Sequence, residues 1–419
     1  MPLHNSQFKT VIVLNKGGRW HMSEVDAIRG TYSNLLAGAK IALIVSSGVS
    51  LYKSIDLARL LIRHGADVHV FMTPKAARLV SPHMYRWATG RRPVVRLTGA
   101  TEHVEICSKA DVVVVAPATA NTIAKLSLGI ADNAALTCAL AASRAKMVIV
   151  PAMNLSMWEA PAVREALERL GRRALVVPPV VEEGKAKYPP PEEVAEYVID
   201  ATAPRDYEGV RVLVTAGPTH EHIDDVKYIT TPSSGLTGYY FAREAAARGA
   251  KVTLVAGPAA IRQPPGVEMV KVTSVLEMHR AVVERAADHD VFIFAAAPLD
   301  FYVEKRAGGK IDSSLEEYHV VLKQAPKAAQ EVKRLNPRAF VIGFKAEHGV
   351  SEEELVERAR RRMESGGWDM ALAHDVSKMG FGTLKDQYIV ITKSGVSTIG
   401  PAHKRELARL ILTAARREL

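Results

Sequence analysis

Short apolar runs alternate along most of the chain with longer amphipathic stretches, and small polar turns separate them. A short unbroken apolar run is typical of a strand that is covered on both faces of a parallel sheet. An amphipathic stretch is typical of a helix that packs one face against such a sheet. The alternation therefore predicts βαβ units and an α/β fold built on a doubly wound parallel sheet.

The regular pattern begins near residue 40 in the first half of the chain. The predicted strands are Lys40–Ser46, Asp67–Met72, Val112–Ala116 and Met147–Val150. The predicted helices are Leu51–His64, a helix that ends at Ser127, Ala134–Ala142, Ala160–Leu170 and Glu192–Ala201. The preceding residues predict a short strand, Lys9–Leu14, and a helix, Ser23–Leu36, to which we assign no function.

The second half follows the same plan after a break. Thr202–Gly209 is rich in turn formers and lacks a hydrophobic period, which predicts a linker between two domains. The strands predicted beyond it are Arg211–Ala216, Lys251–Ala256, Val291–Ala296, Val341–Lys345, Met370–Ala373, Gln387–Thr392 and Val396–Ile399, and the helices are Thr237–Arg248 and His403–Arg416. We therefore divide the chain into an N-terminal extension (1–38), a Rossmann-like domain (39–201), the linker (202–209) and a second Rossmann-like domain (210–419).

Length and composition agree with this division. The chain has 419 residues, more than one ordinary hydrophobic core accommodates, and 48% of them are hydrophobic, which excludes a disordered chain. No apolar run reaches the roughly 18–20 residues that a membrane span needs. The N-terminal residues lack the apolar segment and the small-residue cleavage site of a signal peptide. We expect no membrane partner and a cytoplasmic location.

Charge and cysteine content narrow the choice of partners. The formal net charge of +10 is spread along the chain, which favours a phosphate-rich small-molecule ligand, or simple solubility, over nucleic acid. The two cysteines, Cys107 and Cys138, cannot form a disulfide framework, which fits a reducing compartment. We expect both to be structural.

The segment Pro151–Trp158 follows a predicted strand directly. Ligands of parallel sheets bind just beyond the carboxyl ends of the strands. The amide of Asn154 can bind a carboxylate without adding charge, and Met153, Met157 and Trp158 offer apolar surface for a planar ring or a thiol. The alternative is an ordinary strand end followed by a helix with core methionines.

Polar residues also follow the strands at Ser46 and Ala116. The turn Ser46–Ser50 lies between a strand and a helix, where backbone N–H groups and the helix N-terminus can bind a phosphate. Thr119 and Asn121 lie just past the next predicted strand end. An ordinary βα turn is an equal alternative, because the full dinucleotide glycine pattern is absent. His103 is the side chain best suited to proton transfer near neutral pH, although a lone histidine is more often structural.

The segment Val180–Pro190 is polar and ends in prolines. It predicts either a mobile loop that closes on a site or a linker. Gly184, Lys185 and Lys187 are its notable residues.

The second half carries its own strand-end groups. Gly217 follows the first strand, and Ser233-Ser234-Gly235 precede a predicted helix, an arrangement suited to a nucleotide phosphate. Asp300 and Lys310 follow the strand at Val291–Ala296, where a carboxylate and a lysine suit the hydroxyls, magnesium or phosphates of a nucleotide. A surface salt bridge is the alternative.

Several strings carry a family resemblance. EHVEI, PATANTIAKLSLGIADN and PAMNLSMW resemble the flavin-dependent cysteine decarboxylases. VTAGPTHEHIDDVKYITTPSSG, FAAAPLDF, GKI, VIGFKAE and ALAHDVS resemble the phosphopantothenate–cysteine ligases. Both sets in one chain, in this order, resemble the bifunctional enzymes of coenzyme A biosynthesis, and the resemblance covers the chain from about Lys40 to its C-terminus.

For the first domain, the resemblance implies a phosphopantothenoylcysteine decarboxylase with FMN as cofactor. Oxidation of the substrate's thiol to a thioaldehyde then provides the electron sink for loss of carbon dioxide. His103 matches the essential histidine, Asn154 matches the catalytic asparagine that holds the substrate carboxylate, and Met157 is a further substrate-binding residue. The residues implied to bind FMN are Ser46, Ser47, Gly48, Ser50, Thr119 and Asn121. Many relatives carry a cysteine in the closing loop, whereas Val180–Pro190 has none, so Lys185 or Lys187 is a candidate replacement.

For the second domain, the resemblance implies ligation of cysteine to 4'-phosphopantothenate through an acyl-nucleotide formed from a nucleotide, usually CTP, with Mg2+ at Asp300. The residues implied to bind the nucleotide are Gly217, Ser233, Ser234, Gly235, Ala295, Ala296, Ala297, Asp300, Lys310 and Phe344. Thr231 replaces the family asparagine, and Leu236-Thr237 replace a Lys-Met pair. The resemblance also implies a homo-oligomer, with dimer contacts in the ligase half and trimer contacts in the flavin half.

Two other functions compete with this interpretation. A flavin-fold regulatory or binding protein, lacking one or both activities, is one alternative. An unrelated NAD-type oxidoreductase is the other, and the poor glycine pattern at Ser46–Ser50 disfavours it.

Overall fold

A computed structural model of the chain describes residues 24–378 and 382–419. The described residues separate into two compact units, and the division falls between Tyr197 and Val198. Among the described residues, no helix combines the length and apolar character that crossing a membrane requires.

The first unit is built on a five-stranded parallel sheet in the order β2-β1-β3-β4-β6. Its strands are β1 (Lys40–Val45), β2 (Asp67–Met72), β3 (Val112–Ala118), β4 (Lys146–Pro151), β5 (Met153–Asn154), β6 (Ala174–Val176), β7 (Val180–Glu182) and β8 (Lys185–Lys187). Its helices are α1 (Glu24–Ile28), α2 (Lys53–Arg63), α3 (Pro74–Leu79), α4 (Pro82–Thr89), α5 (Glu102–Glu105), α6 (Ala120–Ser127), α7 (Ala134–Ala141), α8 (Leu155–Trp158) and α9 (Pro161–Leu170), and α10 (Pro191–Ala201) contains the division between the units.

Both faces of this sheet are covered. Ala42 and Ile44 of β1 belong to a buried cluster that also contains residues of α6, α7 and α9. Ile41 and Leu43 point to the other face, because successive side chains of a strand alternate, and they are also fully buried. The unbroken apolar runs therefore correspond to strands covered on both faces, and the predicted α/β fold is confirmed.

The segment Val180–Pro190 contains a β-hairpin rather than a plain loop or linker. β7 and β8 pair antiparallel, and β8 also pairs with β5, so β5-β8-β7 form a small three-stranded sheet. Leu155 N donates to Gly184 O at 3.0 Å and extends this attachment beyond β5. The hairpin is therefore hydrogen-bonded to the segment that carries Asn154.

The second unit is built on an eight-stranded sheet in the order β13-β12-β9-β14-β17-β18-β19-β20, in which β19 pairs antiparallel with both of its neighbours and all other pairs are parallel. Its strands are β9 (Arg211–Ala216), β10 (His220–His222), β11 (Tyr228–Thr230), β12 (Lys251–Ala256), β13 (Val267–Lys271), β14 (Val291–Phe294), β15 (Phe301–Val303), β16 (Leu322–Gln324), β17 (Phe340–Glu347), β18 (Met370–Asp375), β19 (Lys385–Thr392) and β20 (Gly395–His403). Its further helices are α11 (Leu236–Ala247), α12 (Val275–Val283), α13 (Ala328–Leu335), α14 (Glu352–Gly366) and α15 (Lys404–Glu418). One buried cluster joins the sheet to α11 and α15, and another joins it to α12, α13 and α14.

Some local expectations need correction. The predicted helix Ser23–Leu36 is limited to the five residues of α1 among the described residues, and turns follow it. The predicted strand Lys9–Leu14 lies outside the described residues, as does Ser23. The predicted strand Val291–Ala296 ends at Phe294.

The cysteine expectation is wrong on one point. Cys107 and Cys138 form a disulfide, because the chain brings their Cα atoms to 5.3 Å. Both residues are fully buried, which agrees with the expected structural role. They are oxidised, whereas free thiols were expected in a reducing compartment.

Candidate active sites

Asn154 lies just past the carboxyl end of β4. Its backbone is extended, and it occupies the N-cap position of α8. An asparagine at this position ordinarily accepts a hydrogen bond from the first turn of the helix, but the side chain of Asn154 makes no such bond. Because the residue is also exposed, its amide is accessible to a ligand.

The hairpin places Lys185 opposite Asn154. The two residues pair directly in the antiparallel ladder of β5 and β8, so their side chains project from the same face. Lys187 has a different environment, because its Nζ lies 2.7 Å from carboxylate oxygens of both Glu182 and Glu183. These hydrogen bonds raise the pKa of Lys187, with that from Glu182 the larger. Among the described residues Lys185 makes no ion pair, so Lys185 is the better of the two predicted replacements for the absent cysteine.

The turn Ser46–Ser50 is tied to the end of β3. Ser46 Oγ donates to Pro117 O at 2.7 Å and accepts from Thr119 N at 3.3 Å. Gly48 faces the same segment, since a Cβ on it would lie 3.4 Å from Pro117 Cγ. The hydroxyls of Ser47 and Ser50 have no hydrogen-bond partner in the described part of the chain. Ser46 and Gly48 therefore shape the turn, while Ser47 and Ser50 keep free hydroxyls.

Thr119 and Asn121 also differ in whether the side chain is already hydrogen-bonded within the protein. Thr119 Oγ1 accepts from Thr122 N at 3.3 Å and caps α6. Asn121 is exposed in the first turn of that helix. Free hydroxyls and an exposed amide beside two helix starts suit a phosphate-bearing cofactor, so these residues fit a flavin nucleotide.

His103 lies in the one-turn helix α5. Its Nδ1 is buried and has no hydrogen-bond partner among the described residues. A buried polar atom without a partner is unusual in a protein that has no ligand for it. No described hydrogen bond joins His103 to Asn154 or to the Ser46–Ser50 turn.

The second unit contains a cavity of about 430 Å³. Of the predicted nucleotide-binding residues, Ala296, Ala297, Asp300 and Phe344 line this cavity, and Thr231 also lines it. Asp300 forms an ion pair with Lys327, which lines the same cavity. Sequence reasoning missed Lys327, because this pair depends on the folding of β15 against β16.

A second cavity, of about 140 Å³, shares part of this lining. Predicted residues in its wall are Ser233, Ser234, Gly235, Ala295, Ala296, Ala297 and Phe344. Asp386, Tyr388, His374 and Lys404, which sequence reasoning missed, also line it. The signal for Asp386 is weak, because it is an isolated acidic residue near the start of a predicted strand.

These additional residues form a buried polar group. Tyr388 Oη donates to Asp386 Oδ2 at 2.9 Å, and Lys404 Nζ lies 4.0 Å from the same oxygen. Burial opposes ionisation of Asp386, but the contacts of His374 and Tyr388 hold the pKa of Asp386 below its usual value. Burial lowers the pKa of Lys404, and the charge of Asp386 opposes that effect.

Gly217 and Lys310 line neither cavity. Gly217 O accepts from Ala297 N at 3.0 Å, and a Cβ on Gly217 would lie 3.2 Å from Gly257 O, so the residue permits a close approach of two backbones. Lys310 is exposed, and its neighbours are fixed by Asp225 and Asp224, which accept from Gly309 N at 2.8 Å and Ile311 N at 3.0 Å. The alternative of a salt bridge between Asp300 and Lys310 is not seen, because Asp300 is paired with Lys327.

The described residues contain no cluster of metal-ligating side chains. No group of three or more histidine, cysteine, aspartate or glutamate side chains there could hold a metal ion. The side chain of Asp300 is 74% exposed. It could bind Mg2+ only together with a ligand such as a nucleotide.

Comparisons with known proteins agree with the two-unit architecture. The Flavoprotein family model matches residues 29–203, and the model described as "DNA/pantothenate metabolism flavoprotein C-terminal domain" matches residues 207–418. The Coenzyme A biosynthesis bifunctional protein CoaBC of Thermococcus kodakarensis is 39% identical over 396 residues, covering 92% of this chain and 97% of that protein.

Two further relatives extend the comparison. The protein of the same name from Methanocaldococcus jannaschii is 34% identical over 394 residues, covering 93% of this chain and 96% of that protein. A crystal structure of the C-terminal domain of CoaBC is 29% identical, with a TM-score of 0.44, and covers 51% of this chain and 97% of that chain. On the family-model and full-length matches, the chain belongs to the family of bifunctional coenzyme A biosynthesis proteins.

Proposed function

We propose that the first unit decarboxylates phosphopantothenoylcysteine to 4'-phosphopantetheine with FMN as cofactor. The observation that carries this proposal is the exposed amide of Asn154, which lies past the end of β4 and does not cap its own helix. A neutral amide can hold a substrate carboxylate in place by donating hydrogen bonds to it. Asn154 is therefore the substrate-orienting residue.

The other predicted groups of this unit divide the remaining tasks. Ser47, Ser50 and Asn121 donate hydrogen bonds to the cofactor, and Met157, which is 45% exposed, provides soft apolar surface for the substrate's thiol. Bound FMN supplies reversible two-electron oxidation of the thiol-bearing carbon, which makes loss of the adjacent carboxylate possible. His103 exchanges a proton with the substrate, and its buried Nδ1 has no hydrogen-bond partner among the described residues.

We propose that the second unit joins cysteine to 4'-phosphopantothenate. The carboxylate attacks the α-phosphorus of CTP, pyrophosphate leaves, and the cysteine amine then displaces CMP from the acyl-nucleotide. Support comes from two cavities that share Ala296, Ala297 and Phe344, so an acid and a nucleotide can lie side by side. The Ser233-Ser234-Gly235 turn at the start of α11 suits a phosphate.

Positive charge in the larger cavity is suited to the same substrates. Lys327 and Lys345 line this cavity. Lys327 forms an ion pair with Asp300, and Lys345 Nζ lies 2.8 Å from a carboxylate oxygen of Glu347. Mg2+ bound by the nucleotide phosphates and Asp300 would release Lys327 to contact a phosphate or carboxylate. Thr231, with one hydroxyl in place of an amide, provides a single hydrogen-bond donor at the family's asparagine position.

One incubation tests both reactions. The full chain, loaded with FMN, is incubated anaerobically with 4'-phosphopantothenate, cysteine, CTP and Mg2+, and the products are identified by mass. We expect pyrophosphate, CMP and 4'-phosphopantetheine. Accumulation of phosphopantothenoylcysteine would contradict the decarboxylase assignment, and absence of pyrophosphate would contradict the ligase assignment. Replacing CTP by ATP tests the nucleotide.

We propose the division into 1–38, 39–201, 202–209 and 210–419 as functional boundaries. Residues 202–209 contain no helix or strand, but Tyr207 is buried and its hydroxyl donates to Leu412 O at 2.8 Å. The second domain therefore includes part of the linker in its core. We also propose a cytoplasmic homo-oligomer with dimer contacts in the ligase half and trimer contacts in the flavin half, which light scattering on the separate halves tests.

A further inference from the structure

The disulfide joins the histidine segment to a buried helix. Cys107 follows α5 at the start of a short 3-10 helix, Cys107–Lys109, only four positions after His103. Cys138 lies within α7, 31 positions further along the chain. Both cysteines are fully buried in the cluster that covers one face of the first sheet.

The histidine segment packs against α7 and, through the partly buried Ile106, against the same cluster, but it contributes few buried groups of its own. None of the four residues of α5 is buried, and no side chain caps the helix at Thr101. The backbone of Thr101 is left-handed, with φ of 55°. The side-chain bonds of this region are local, since Thr98 donates to the carboxylate of Glu102 within the same exposed turn. Cys107 is the first fully buried residue after His103.

The other end of the crosslink is firmly held. Asn133 caps α7 by accepting from Ala135 N at 3.1 Å and from Leu136 N at 3.2 Å. Leu136 and Cys138 are both buried against the sheet. The disulfide thus attaches a turn that has no buried residue of its own to a buried helix.

We propose that Cys107 and Cys138 are positioning residues for His103, whose buried Nδ1 depends on the crosslink for its location. Reduction by an external dithiol breaks the S–S bond, adds two electrons and two protons as two thiols, and converts the dithiol to its own disulfide. The histidine segment then moves, and decarboxylation slows while ligation continues. The proposal rests on the proposed role of His103.

The experiment uses the FMN-loaded full chain. Thiols counted after denaturation without reductant should number none, and two should be found after dithiol treatment. Treatment should lower kcat of decarboxylation roughly tenfold, as expected when a reacting group is displaced. KM, the flavin absorption spectrum and the ligase rate should be unchanged. Reoxidation should restore kcat, and Cys138→Ala should show the low kcat under all conditions.

Leu136→Val is the matched control. It removes a similar volume from the same helix and cluster without touching the crosslink. An equal loss of kcat in this variant would show that packing, not the disulfide, controls the reaction. Free thiols in untreated protein, or an unchanged kcat in Cys138→Ala, would also overturn the proposal.

His103→Gln separates the failure of this inference from the failure of the proposed function. If His103→Gln decarboxylates at the wild-type rate, the role of His103 itself is wrong. If His103→Gln is inactive while the reduced enzyme is fully active, the catalytic role stands and the positioning role fails. A pH–rate profile that changes on reduction would support positioning, because such profiles report the essential acid and base groups.

Discussion

The two units hold their candidate site residues in different states. In the first unit, Asn154, Ser47 and Asn121 have polar side chains without a described hydrogen-bond partner. In the second unit, Asp300 is paired with Lys327, and Asp386 accepts a hydrogen bond from Tyr388. A ligand of the first site satisfies unpaired groups, whereas a ligand of the second must replace contacts that already exist.

This difference determines how each site responds to substitution. When a side chain bonds only to the ligand, replacing it leaves a polar group of the ligand without a partner. The whole loss of free energy then appears in ligand binding or in turnover. Changing a residue that is paired within the protein also leaves its partner unpaired, so the measured effect combines two coupled contributions. We therefore expect the largest effects in the first unit, wherever the changed group meets the substrate directly.

The largest expected effect is that of Asn154→Asp. A carboxylate at this position would repel the substrate's carboxylate and should reduce kcat/KM of decarboxylation by about a hundredfold or more, equivalent to at least ~2.7 kcal/mol. Product mass measured after incubation with phosphopantothenoylcysteine checks this. The ligase rate of the same protein serves as the internal control.

Asn154→Leu separates repulsion from the loss of the amide. It has nearly the same size but adds no charge, so we expect a smaller loss than in Asn154→Asp. Equal rates for wild type and Asn154→Asp would exclude Asn154 as the carboxylate-holding residue.

Asp300→Asn tests the paired site. If Asp300 serves the nucleotide or Mg2+, pyrophosphate release should fall by roughly tenfold or more. If it serves only to neutralise Lys327, the change should have little effect on turnover, because an exposed ion pair contributes little by itself. Lys327→Met and the double variant complete the cycle. Additive losses would contradict the coupling of these two side chains.

β6 and β13 lack an uninterrupted buried run and were not predicted from sequence. Most of the other strands of the two large sheets were predicted because their buried runs are apolar and uninterrupted. β1, β9 and β12 show this most clearly, since each is exposed only at its first residue. α14 was not predicted because its sequence is highly charged, and only Leu355, Ala359 and Gly366 are buried along it. A weak hydrophobic period hides a helix even when the helix is long.

The site was predictable in part, for a related reason. Strand ends can be located from the apolar runs, so Asn154 and Asp300 could be identified as strand-end groups. Contacts between distant segments leave no local pattern, and the disulfide and the Asp300–Lys327 pair are of this kind. The hairpin of β7 and β8 was missed because all three residues of β7 are exposed and show no alternation.

Acid should weaken the second unit through His403. Burial, followed by the charges of Lys385, Arg405 and Lys404, lowers the pKa of His403 from 6.5 to about 4. The unfolded chain then binds a proton that the folded chain does not, so stability is lost as pH falls from 6.5 toward 4. At pH 5 the loss should be about 2 kcal/mol, measurable by urea unfolding.

His403→Asn isolates this contribution. His403 Nδ1 accepts from Arg405 N at 3.2 Å and caps α15, and asparagine can provide the same cap without titrating. The difference in unfolding free energy between variant and wild type should therefore change between pH 7 and pH 5. A difference that is constant over this range would contradict the assignment.

The smallest expected effect distinguishes two lysines of one hairpin. Lys185 faces Asn154 across the β5–β8 pair, whereas Lys187 is held by Glu182 and Glu183. Lys185→Met should lower kcat of decarboxylation by roughly fivefold, because a nearby ammonium stabilises the anionic sulfur that forms when carbon dioxide leaves.

Lys187→Met is the matched control, and it should leave kcat unchanged because Lys187 already neutralises the two glutamates. Lys185→Arg keeps the charge and should retain most of the rate if electrostatic stabilisation is the role. Equal losses in Lys185→Met and Lys187→Met would mean that the hairpin contributes through its fold alone, and the first site would then depend on Asn154 without a neighbouring cation.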